Sequence, residues 1–403
     1  MPKREKTLKK TLVKKHSGHY TQNIRTIPFN CPCMDQREVK AVEKALTSLE
    51  IAGNGPISKK TQKLIQERFK VSHALLTSSC THAMELALMT LSVSSGDEVI
   101  LPSFTFVSTA NAILRQGARP VFADVDPLTL NLSPQDCEKR ITKKTKAIIP
   151  VHYAGVSCEM DRFLSLGKHY HLFIVEDAAQ GVNALYRDKY LGTIGDIGCY
   201  SFHGTKNISC GEGGAFLTNN PELKERARIL GEHGTDRSQS LLDIMDKYTW
   251  IEHGGNYLLS EIQSAILYEQ LLKLDEITER RKKVFSFYYE NLKPLEEREI
   301  VKLPFIPDEA TPNWHIFYFR VKDQKIRDLC LKRLKQKGIE ATFHYIPLHS
   351  SPFGINRLGY KIGDLPITEK LSPMLVRLPI YPGIKKRDLH YIVDCLYKVF
   401  KEI

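Results

Sequence analysis

The chain has 403 residues, of which 42% are hydrophobic and 26% are charged, an ordinary composition for a globular protein with room for two domains. It contains no uninterrupted apolar run of about 18 residues, and its charged N-terminus lacks the apolar core of a secretory signal. We therefore predict a cytoplasmic protein with no membrane partner.

The net charge of +12 is concentrated at the N-terminus. The first 25 residues carry eight Lys and Arg against a single Glu, so residues 1–26 are predicted to form a basic, disordered tail. A solvated extension is the simplest interpretation, and nucleic acid is not predicted as a partner. The nine cysteines are scattered without a CxxC pair, which indicates reduced thiols and no metal site.

Helical spacing of apolar residues predicts helices over 35–48 and 61–69, separated by a glycine-rich loop at 52–56. Short apolar segments then alternate with further helices as far as residue 218. The predicted strands cover 74–77, 97–101, 120–124, 147–151, 172–176, 196–201 and 215–218. This alternation favours a mostly parallel sheet covered by helices on both faces.

The pattern changes after residue 260. A long helix is predicted from 260 to about 289, followed by strands at 315–321 and 341–345 on either side of a helix at 325–337. A last helix is predicted over 387–400. We therefore predict an α/β protein with a large domain over 27–275 and a smaller C-terminal α/β domain over 276–403.

Polar residues follow four of the predicted strands, at 77–81, 103–106, 177–180 and 201–206. Ligands of parallel sheets bind beyond the carboxyl ends of the strands, so these residues are expected to share one site.

The types of residue at these strand ends match the needs of pyridoxal phosphate. The cofactor needs a lysine amine for a Schiff base and a carboxylate that keeps its pyridine nitrogen protonated. Lys206 can supply the amine and Asp177 the carboxylate. Its phosphate needs a helix N-terminus and hydroxyl donors, which Ser79, Cys80 and Thr81 can supply.

Two further residues can complete such a site. Phe106 can stack on the ring, and Ser201 can add a hydroxyl. Taken singly, each candidate has a simpler interpretation, such as a helix cap for Asp177 or a surface position for Lys206. Spacing alone thus leads no further than an α/β enzyme with a phosphate-bearing cofactor.

Longer motifs add a resemblance to a known family. From about residue 27 to the C-terminus the chain resembles the sugar-nucleotide aminotransferases of the DegT/DnrJ/StrS family. The matching stretches include LLTSSCTHAMELAL, GDEVILPSFTFVSTANAI, AIIPVHYAGVSCEMD, VEDAAQG, SFHGTKNISCGEGG and HYIPLH. The resemblance implies fold type I of the pyridoxal phosphate-dependent transferases, the aspartate aminotransferase fold. It also implies a homodimer with the active site at its interface.

The resemblance implies a role for each candidate. Lys206 is the catalytic Schiff-base lysine, and Asp177 pairs with the pyridine nitrogen. Gln180 lies near the 3-hydroxyl of the ring, and Phe106 stacks on the ring. The residues implied to hold the phosphate are Cys80, Thr81 and Ser201.

The resemblance also assigns one residue at the subunit interface and one residue near the substrate. Asn256 of a second subunit is expected to reach the phosphate, although this chain reads Asn256-Tyr257-Leu258 where many members have NYR or NYN. His349, in the motif HYIPLH, is expected to lie near the sugar nucleotide.

The implied reaction moves an amino group from L-glutamate to C-4 of a nucleotide-linked 4-keto-6-deoxy sugar. Two alternatives stay open, a different keto-sugar nucleotide or carbon position and a non-catalytic regulatory protein of the same fold. Some relatives carry histidine in place of the lysine and dehydrate sugars, so the presence of Lys206 disfavours that chemistry.

Overall fold

The computed structural model describes residues 26–236 and 248–402. The predicted basic tail therefore lies almost entirely outside the described residues. The helices are α1 (Gln36–Thr47), α2 (Pro56–Phe69), α3 (Cys80–Thr90), α4 (Val107–Arg115), α5 (Pro134–Lys139), α6 (Met160–Tyr170), α7 (Pro221–Gly231), α8 (Glu261–Leu272), α9 (Leu274–Glu297), α10 (Gln324–Gln336), α11 (Pro352–Leu358), α12 (Pro366–Leu371) and α13 (Lys386–Glu402). No helix in these two ranges is long and apolar enough to cross a membrane.

The strands form one large sheet and two small ones. They are β1 (His73–Thr77), β2 (Glu98–Pro102), β3 (Arg119–Ala123), β4 (Thr145–Ile148), β5 (Phe173–Asp177), β6 (Leu185–Tyr186), β7 (Lys189–Tyr190), β8 (Ile197–Ser201), β9 (Gly214–Thr218), β10 (Ala310–Thr311), β11 (Phe317–Arg320) and β12 (Leu375–Leu378). The large sheet has the order β1-β9-β8-β5-β4-β2-β3. In it β9 is antiparallel to β1 and β8, and the other neighbours are parallel, which confirms the predicted mostly parallel sheet.

Successive residues of the central strands pack into different hydrophobic clusters. On β2, Val99 and Leu101 belong to one cluster and Ile100 to another, as the two-residue period of a strand requires. Both faces of this sheet are therefore buried, which explains why its strands read as continuous apolar runs rather than as alternating ones.

A separate hydrophobic cluster lies in the C-terminal part of the chain. It joins α9, α10 and α13 to the two-stranded sheet of β11 and β12, and it includes Ile27 from the other end of the chain. Phe317 and Phe319 of β11 are both completely buried in it. The N-terminal segment is held there by hydrogen bonds that Ile27 N donates to Gly338 O and Glu340 N donates to Ile27 O.

Two predicted elements differ from the structure. The long helix predicted over 260–289 is divided at Lys273, between α8 and α9, and the buried Lys273 ammonium forms ion pairs with Asp35 and Glu38. The segment predicted as a strand over 341–345 makes a single bridge, between Thr342 and Arg377, because its later residues turn toward a cavity instead of pairing with a strand.

Gly214, at the start of β9, lies where three elements meet. It is opposite Thr77 of β1 and Ser201 of β8 in the sheet. A Cβ atom at this position would lie 2.5 Å from the backbone N of Cys80 and 2.5 Å from the carbonyl carbon of Ser79. The absence of a side chain therefore lets β9 approach the N-terminus of α3 directly.

We predict that Gly214→Ala lowers the free energy of unfolding by about 1–3 kcal/mol, because the added methyl group would contact rigid backbone. Urea unfolding measures the effect. Gly383→Ala is the matched control, since a Cβ at Gly383 meets no atom within 4 Å. Equal unfolding midpoints for the two variants would contradict the close approach.

Candidate active site

A cavity of ≈ 670 Å³ lies at the carboxyl ends of the parallel strands. Parallel strands place all their carboxyl ends at one edge, and the reversed β9 brings its first residue to the same edge. The cavity is lined by seven of the predicted site residues, which are Cys80, Thr81, Phe106, Asp177, Gln180, Ser201 and Lys206. The structure thus brings together residues that are up to 126 positions apart in the sequence.

Lys206 follows β8 in a loop that contacts the N-terminal segment. Asn30 Nδ2 donates to the carbonyl oxygen of Gly204 in this loop over 3.2 Å. Within the described residues no hydrogen bond or ion pair holds the Lys206 ammonium. Burial lowers the pKa of Lys206, while the nearby Cys80 and Asp177 oppose that shift. A buried amine with a lowered pKa is suited to nucleophilic and acid–base work.

Asp177 is the last residue of β5, and its carboxylate is buried. Thr109 Oγ1 donates to its Oδ2 over 2.8 Å, and Ala179 N donates to its Oδ1 over 3.2 Å. Because the Thr109 hydroxyl proton goes to the carboxylate, Thr105 Oγ1 must donate to Thr109 Oγ1, 3.0 Å away. The Thr109 hydroxyl therefore holds the carboxylate directly in the cavity wall, whereas the Thr105 hydroxyl contacts Thr109 and not the carboxylate.

The N-terminus of α3 is the anion-binding end of the site. Ser79 is its N-cap in an extended conformation, and Ser79 Oγ accepts from His82 N over 3.1 Å. Thr81 Oγ1 donates to Ser108 Oγ over 3.0 Å. The first backbone N–H groups of a helix have no partner within the helix, so they can receive a phosphate at this position.

Phe106 and Gln180 lie on the cavity wall in different ways. Phe106, the N-cap of α4, is 58% exposed. Gln180 is buried, and its carboxamide is oriented by two bonds, since Oε1 accepts from Ala154 N (2.7 Å) and Nε2 donates to Tyr345 Oη (3.1 Å).

Two arginines that sequence reasoning missed also line the cavity. Arg281 of α9 donates to the carbonyl oxygens of Trp314 (3.1 Å) and His315 (2.6 Å). Arg377 of β12 donates to His344 Nε2, and it stacks over the ring of Phe29 at 4.7 Å. Burial lowers the pKa of Arg281 to about 9, which leaves it charged at neutral pH.

Neither arginine has an acidic partner among the described residues. A buried charge without a counter-ion is costly, and an anionic ligand removes that cost. No sequence motif marked these arginines, because Arg281 stands in a run of charged residues and Arg377 stands in a short apolar strand.

His349 is not among the residues that line this cavity. Its imidazole is completely buried, its Nδ1 is 2.7 Å from Ser103 Oγ and its Nε2 is 2.9 Å from Glu369 Oε1. His349 thus connects the end of β2 to α12, and its predicted place near the sugar nucleotide stays a prediction.

Asn256 lies outside the cavity of its own chain. It is exposed and forms a bridge with Glu232. Its predicted contact with the phosphate of a second subunit stays a prediction. Among the described residues, no group of three or more His, Cys, Asp or Glu is arranged to hold a metal ion.

The sheet, the strand-end lysine and the buried carboxylate define a pyridoxal phosphate-dependent transferase of fold type I. The model of the DegT/DnrJ/EryC1/StrS aminotransferase family matches residues 32–397, and the chain belongs to that family. Solved structures similar to the chain are sugar aminotransferases and include a form with pyridoxal phosphate, so the chain is a pyridoxal phosphate-dependent sugar aminotransferase.

Relatives of known name agree with this assignment. The chain is 32% identical over 392 residues to the spore coat polysaccharide biosynthesis protein SpsC of Bacillus subtilis, covering 93% of this chain and 97% of SpsC. It is 27% identical to PseC of Helicobacter pylori, an aminotransferase involved in pseudoaminic acid biosynthesis. The TM-score is 0.86, and the match covers 94% of this chain and 100% of PseC. The chain is 25% identical to the PLP form of the putative sugar aminotransferase Spr1654 of Streptococcus pneumoniae. The TM-score is 0.86, and the match covers 94% of this chain and 99% of Spr1654.

The residues of this cavity fit the cofactor. An amine without a partner, a buried carboxylate, a helix N-terminus and an exposed aromatic ring surround one space. When bound, pyridoxal phosphate supplies an electron sink for proton removal at the carbon next to an amine.

We predict that Thr109→Val weakens binding of pyridoxal phosphate about tenfold or more, because the Asp177 carboxylate loses a hydrogen bond that holds its orientation. Titration of the full-length chain with the cofactor, followed by visible absorbance, gives the dissociation constant. Thr105→Val is the control, since its hydroxyl contacts Thr109 and not the carboxylate. An equal or larger loss in the control would contradict the assignment.

Proposed function

We propose that this enzyme transfers an amino group from L-glutamate to C-4 of a nucleotide-linked 4-keto-6-deoxy sugar. The observation that carries the proposal is a cavity that joins Lys206 and Asp177 to two buried guanidinium groups without acidic partners. For the particular substrate and product we propose dTDP-4-keto-6-deoxyglucose and dTDP-4-amino-4,6-dideoxygalactose.

The proposed roles of the large-domain residues follow from their positions. Lys206 would hold the cofactor and then carry a proton, a role that suits an amine whose pKa is lowered by burial. Asp177 would face the pyridine nitrogen as the counter-ion. Phe106 would cover one face of the ring, and Gln180 would stand near its 3-hydroxyl. The proposed phosphate ligands are the backbone and side chains of Cys80, Thr81 and Ser201.

Arg281 and Arg377 support glutamate, a dicarboxylate, as the amino donor. Glutamate brings two carboxylates, and the cavity holds two guanidinium groups that lack a carboxylate partner. Arginine binds carboxylates through paired, charge-assisted hydrogen bonds. The buried position of Arg377 and its stacking on Phe29 limit the directions in which its free donors can point.

The sugar side of the proposal rests on the family and on what named relatives do. SpsC belongs to spore coat polysaccharide synthesis, and PseC belongs to pseudoaminic acid synthesis. A role in cell-surface polysaccharide synthesis, in the cytoplasm, is consistent with both. We also propose a homodimer, in which the exposed Asn256 reaches the phosphate in the neighbouring subunit.

Product analysis tests the proposal. The holoenzyme is incubated with L-glutamate and dTDP-4-keto-6-deoxyglucose, the mass of the product is measured, and NMR then assigns the configuration at C-4. We expect an amino sugar with the galacto configuration and none from Lys206→Ala. A gluco product, or turnover only of a 3-keto sugar from a panel, would overturn the particular substrate. No amino sugar from any keto-sugar would overturn the function.

We predict that Arg377→Met raises the KM for glutamate about tenfold or more, because a charge-assisted bond to the donor is lost. The KM for the keto sugar should change little. Arg320→Met is the matched control, because Arg320 lies on the neighbouring strand β11 and donates to Pro127 O, outside the cavity. Equal KM values for glutamate in both variants would show that Arg377 does not bind the donor.

A further inference from the structure

The ring of Phe29 and the guanidinium group of Arg377 form a stack at the cavity wall. Cζ of Arg377 is 4.7 Å from the centroid of the Phe29 ring, and both residues line the cavity. Arg377 is buried and Phe29 is half-buried. The attraction between a guanidinium and the face of an aromatic ring is stronger where water is excluded. The ring therefore stabilises a charge that has no acidic partner among the described residues.

One short segment of the chain, residues 338–342, holds both partners of this stack. Phe29 N donates to Glu340 Oε2 over 3.0 Å, beside the backbone pairing of the N-terminal segment with the same residues. Arg377 N donates to the carbonyl oxygen of Thr342 over 2.7 Å, and Thr342 N donates back over 3.2 Å. The relative position of the ring and the guanidinium is thus set by the backbone around them.

The stack leaves the hydrogen-bond donors of Arg377 available, because they lie in the plane of the guanidinium and the ring covers its face. Among the described residues, the guanidinium makes one hydrogen bond, which Nη1 donates to His344 Nε2. The His344 imidazole is itself stacked on Tyr345, with ring centroids 4.0 Å apart and 10° between the planes. Arg377 is therefore held at one edge and over one face, and its other N–H groups can take a carboxylate without displacing the ring.

A second stack of arginine on phenylalanine has a different electrostatic setting. Arg327 lies over the ring of Phe343 at 4.3 Å, and its guanidinium also pairs with the carboxylate of Asp328 at 2.7 Å. Neither Arg327 nor Phe343 lines the cavity. The stack over Phe29 lacks such a carboxylate from the chain, which leaves that place to a carboxylate of a ligand.

We propose that Phe29 is a positioning residue for Arg377, whose guanidinium the ring keeps oriented to receive a carboxylate of the amino donor. This inference rests on the proposed function, because it concerns the binding of glutamate. A long side chain loses rotational freedom when it binds a ligand, and a stack that already restricts the side chain reduces that loss. Residues 27–30 then belong to the donor side of the site, and Asn30 ties them to the loop after β8 through its bond to Gly204 O.

Binding of glutarate to the holoenzyme tests the inference. Glutarate has the two carboxylates of glutamate and lacks its amino group, so it cannot react, and calorimetry gives its dissociation constant. We expect Phe29→Leu, which stays apolar but loses the ring, to weaken glutarate binding about fivefold or more. Phe29→Tyr keeps the ring and should bind glutarate as the wild type does. Phe343→Leu is the matched control, because it removes the ring from the stack outside the cavity and should leave binding unchanged.

A double-mutant cycle separates positioning from a purely structural effect. If Phe29 acts through Arg377, Phe29→Leu should weaken glutarate binding no further in the Arg377→Met background. Phe29→Leu should also raise the KM for glutamate and change kcat and the KM for the keto sugar little. Equal losses in Phe29→Leu and Phe29→Tyr, an equal loss in Phe343→Leu, or the same loss from Phe29→Leu with and without Arg377 would overturn the inference.

Failure of the inference can be told apart from failure of the proposed function. If Arg377→Met weakens glutarate binding and Phe29→Leu does not, Arg377 still binds the donor and the positioning role of Phe29 is overturned. If neither substitution changes glutarate binding, Arg377 does not hold the donor, and both the inference and that part of the proposed function are overturned.

A further measurement keeps Phe29 and so covers a Phe29→Leu chain that fails to fold. In the ¹⁵N-arginine-labelled holoenzyme without donor, the side-chain resonance that is missing from Arg377→Met reports on the motion of the guanidinium. We expect an order parameter of about 0.85, as in a rigid backbone, because the guanidinium is held before the donor binds. A value below about 0.6, typical of a flexible group, would overturn the inference.

Discussion

The direction of the strands is the constraint on which this site depends. Six strands of the large sheet run the same way, so the loops after β1, β2, β5 and β8 open at one edge. The single reversed strand, β9, begins at that edge, and Gly214 keeps its backbone close enough to touch the N-terminus of α3. Gly214 therefore lies between the N-terminus of α3, where a phosphate can bind, and the end of β8, from which the Lys206 loop begins.

Charge balance then decides what the cavity can bind. Lys206, Arg281 and Arg377 line it, while Asp177 is its buried carboxylate. A buried surplus of positive charge is unfavourable until anions enter the cavity, so the energy cost of the empty cavity and its preference for anionic ligands have the same origin. In an aminotransferase, these anions are the phosphate of the cofactor and the carboxylates of the amino donor.

Local sequence predicted the residues that follow buried strands, because a strand end is both a local pattern and a place where ligands bind. Lys206, Asp177 and Cys80 were found in this way. Arg281 could not be found, since it stands in a run of charged residues, yet in the structure it is buried and donates to the carbonyl oxygens of Trp314 and His315. His349 was predicted from its motif alone, and its partners Ser103 and Glu369 come from other segments that the motif does not reveal.

The two arginines also explain the state of the neighbouring histidines. Burial and the charge of Arg377 lower the pKa of His344 to about 2, and His315 responds in the same direction to both arginines. Histidines with lowered pKa values stay neutral through the physiological range, so neither of these two imidazoles is an additional cation. Burial and the same charges that suit the cavity to carboxylates therefore keep the neighbouring histidines from adding to its surplus of positive charge.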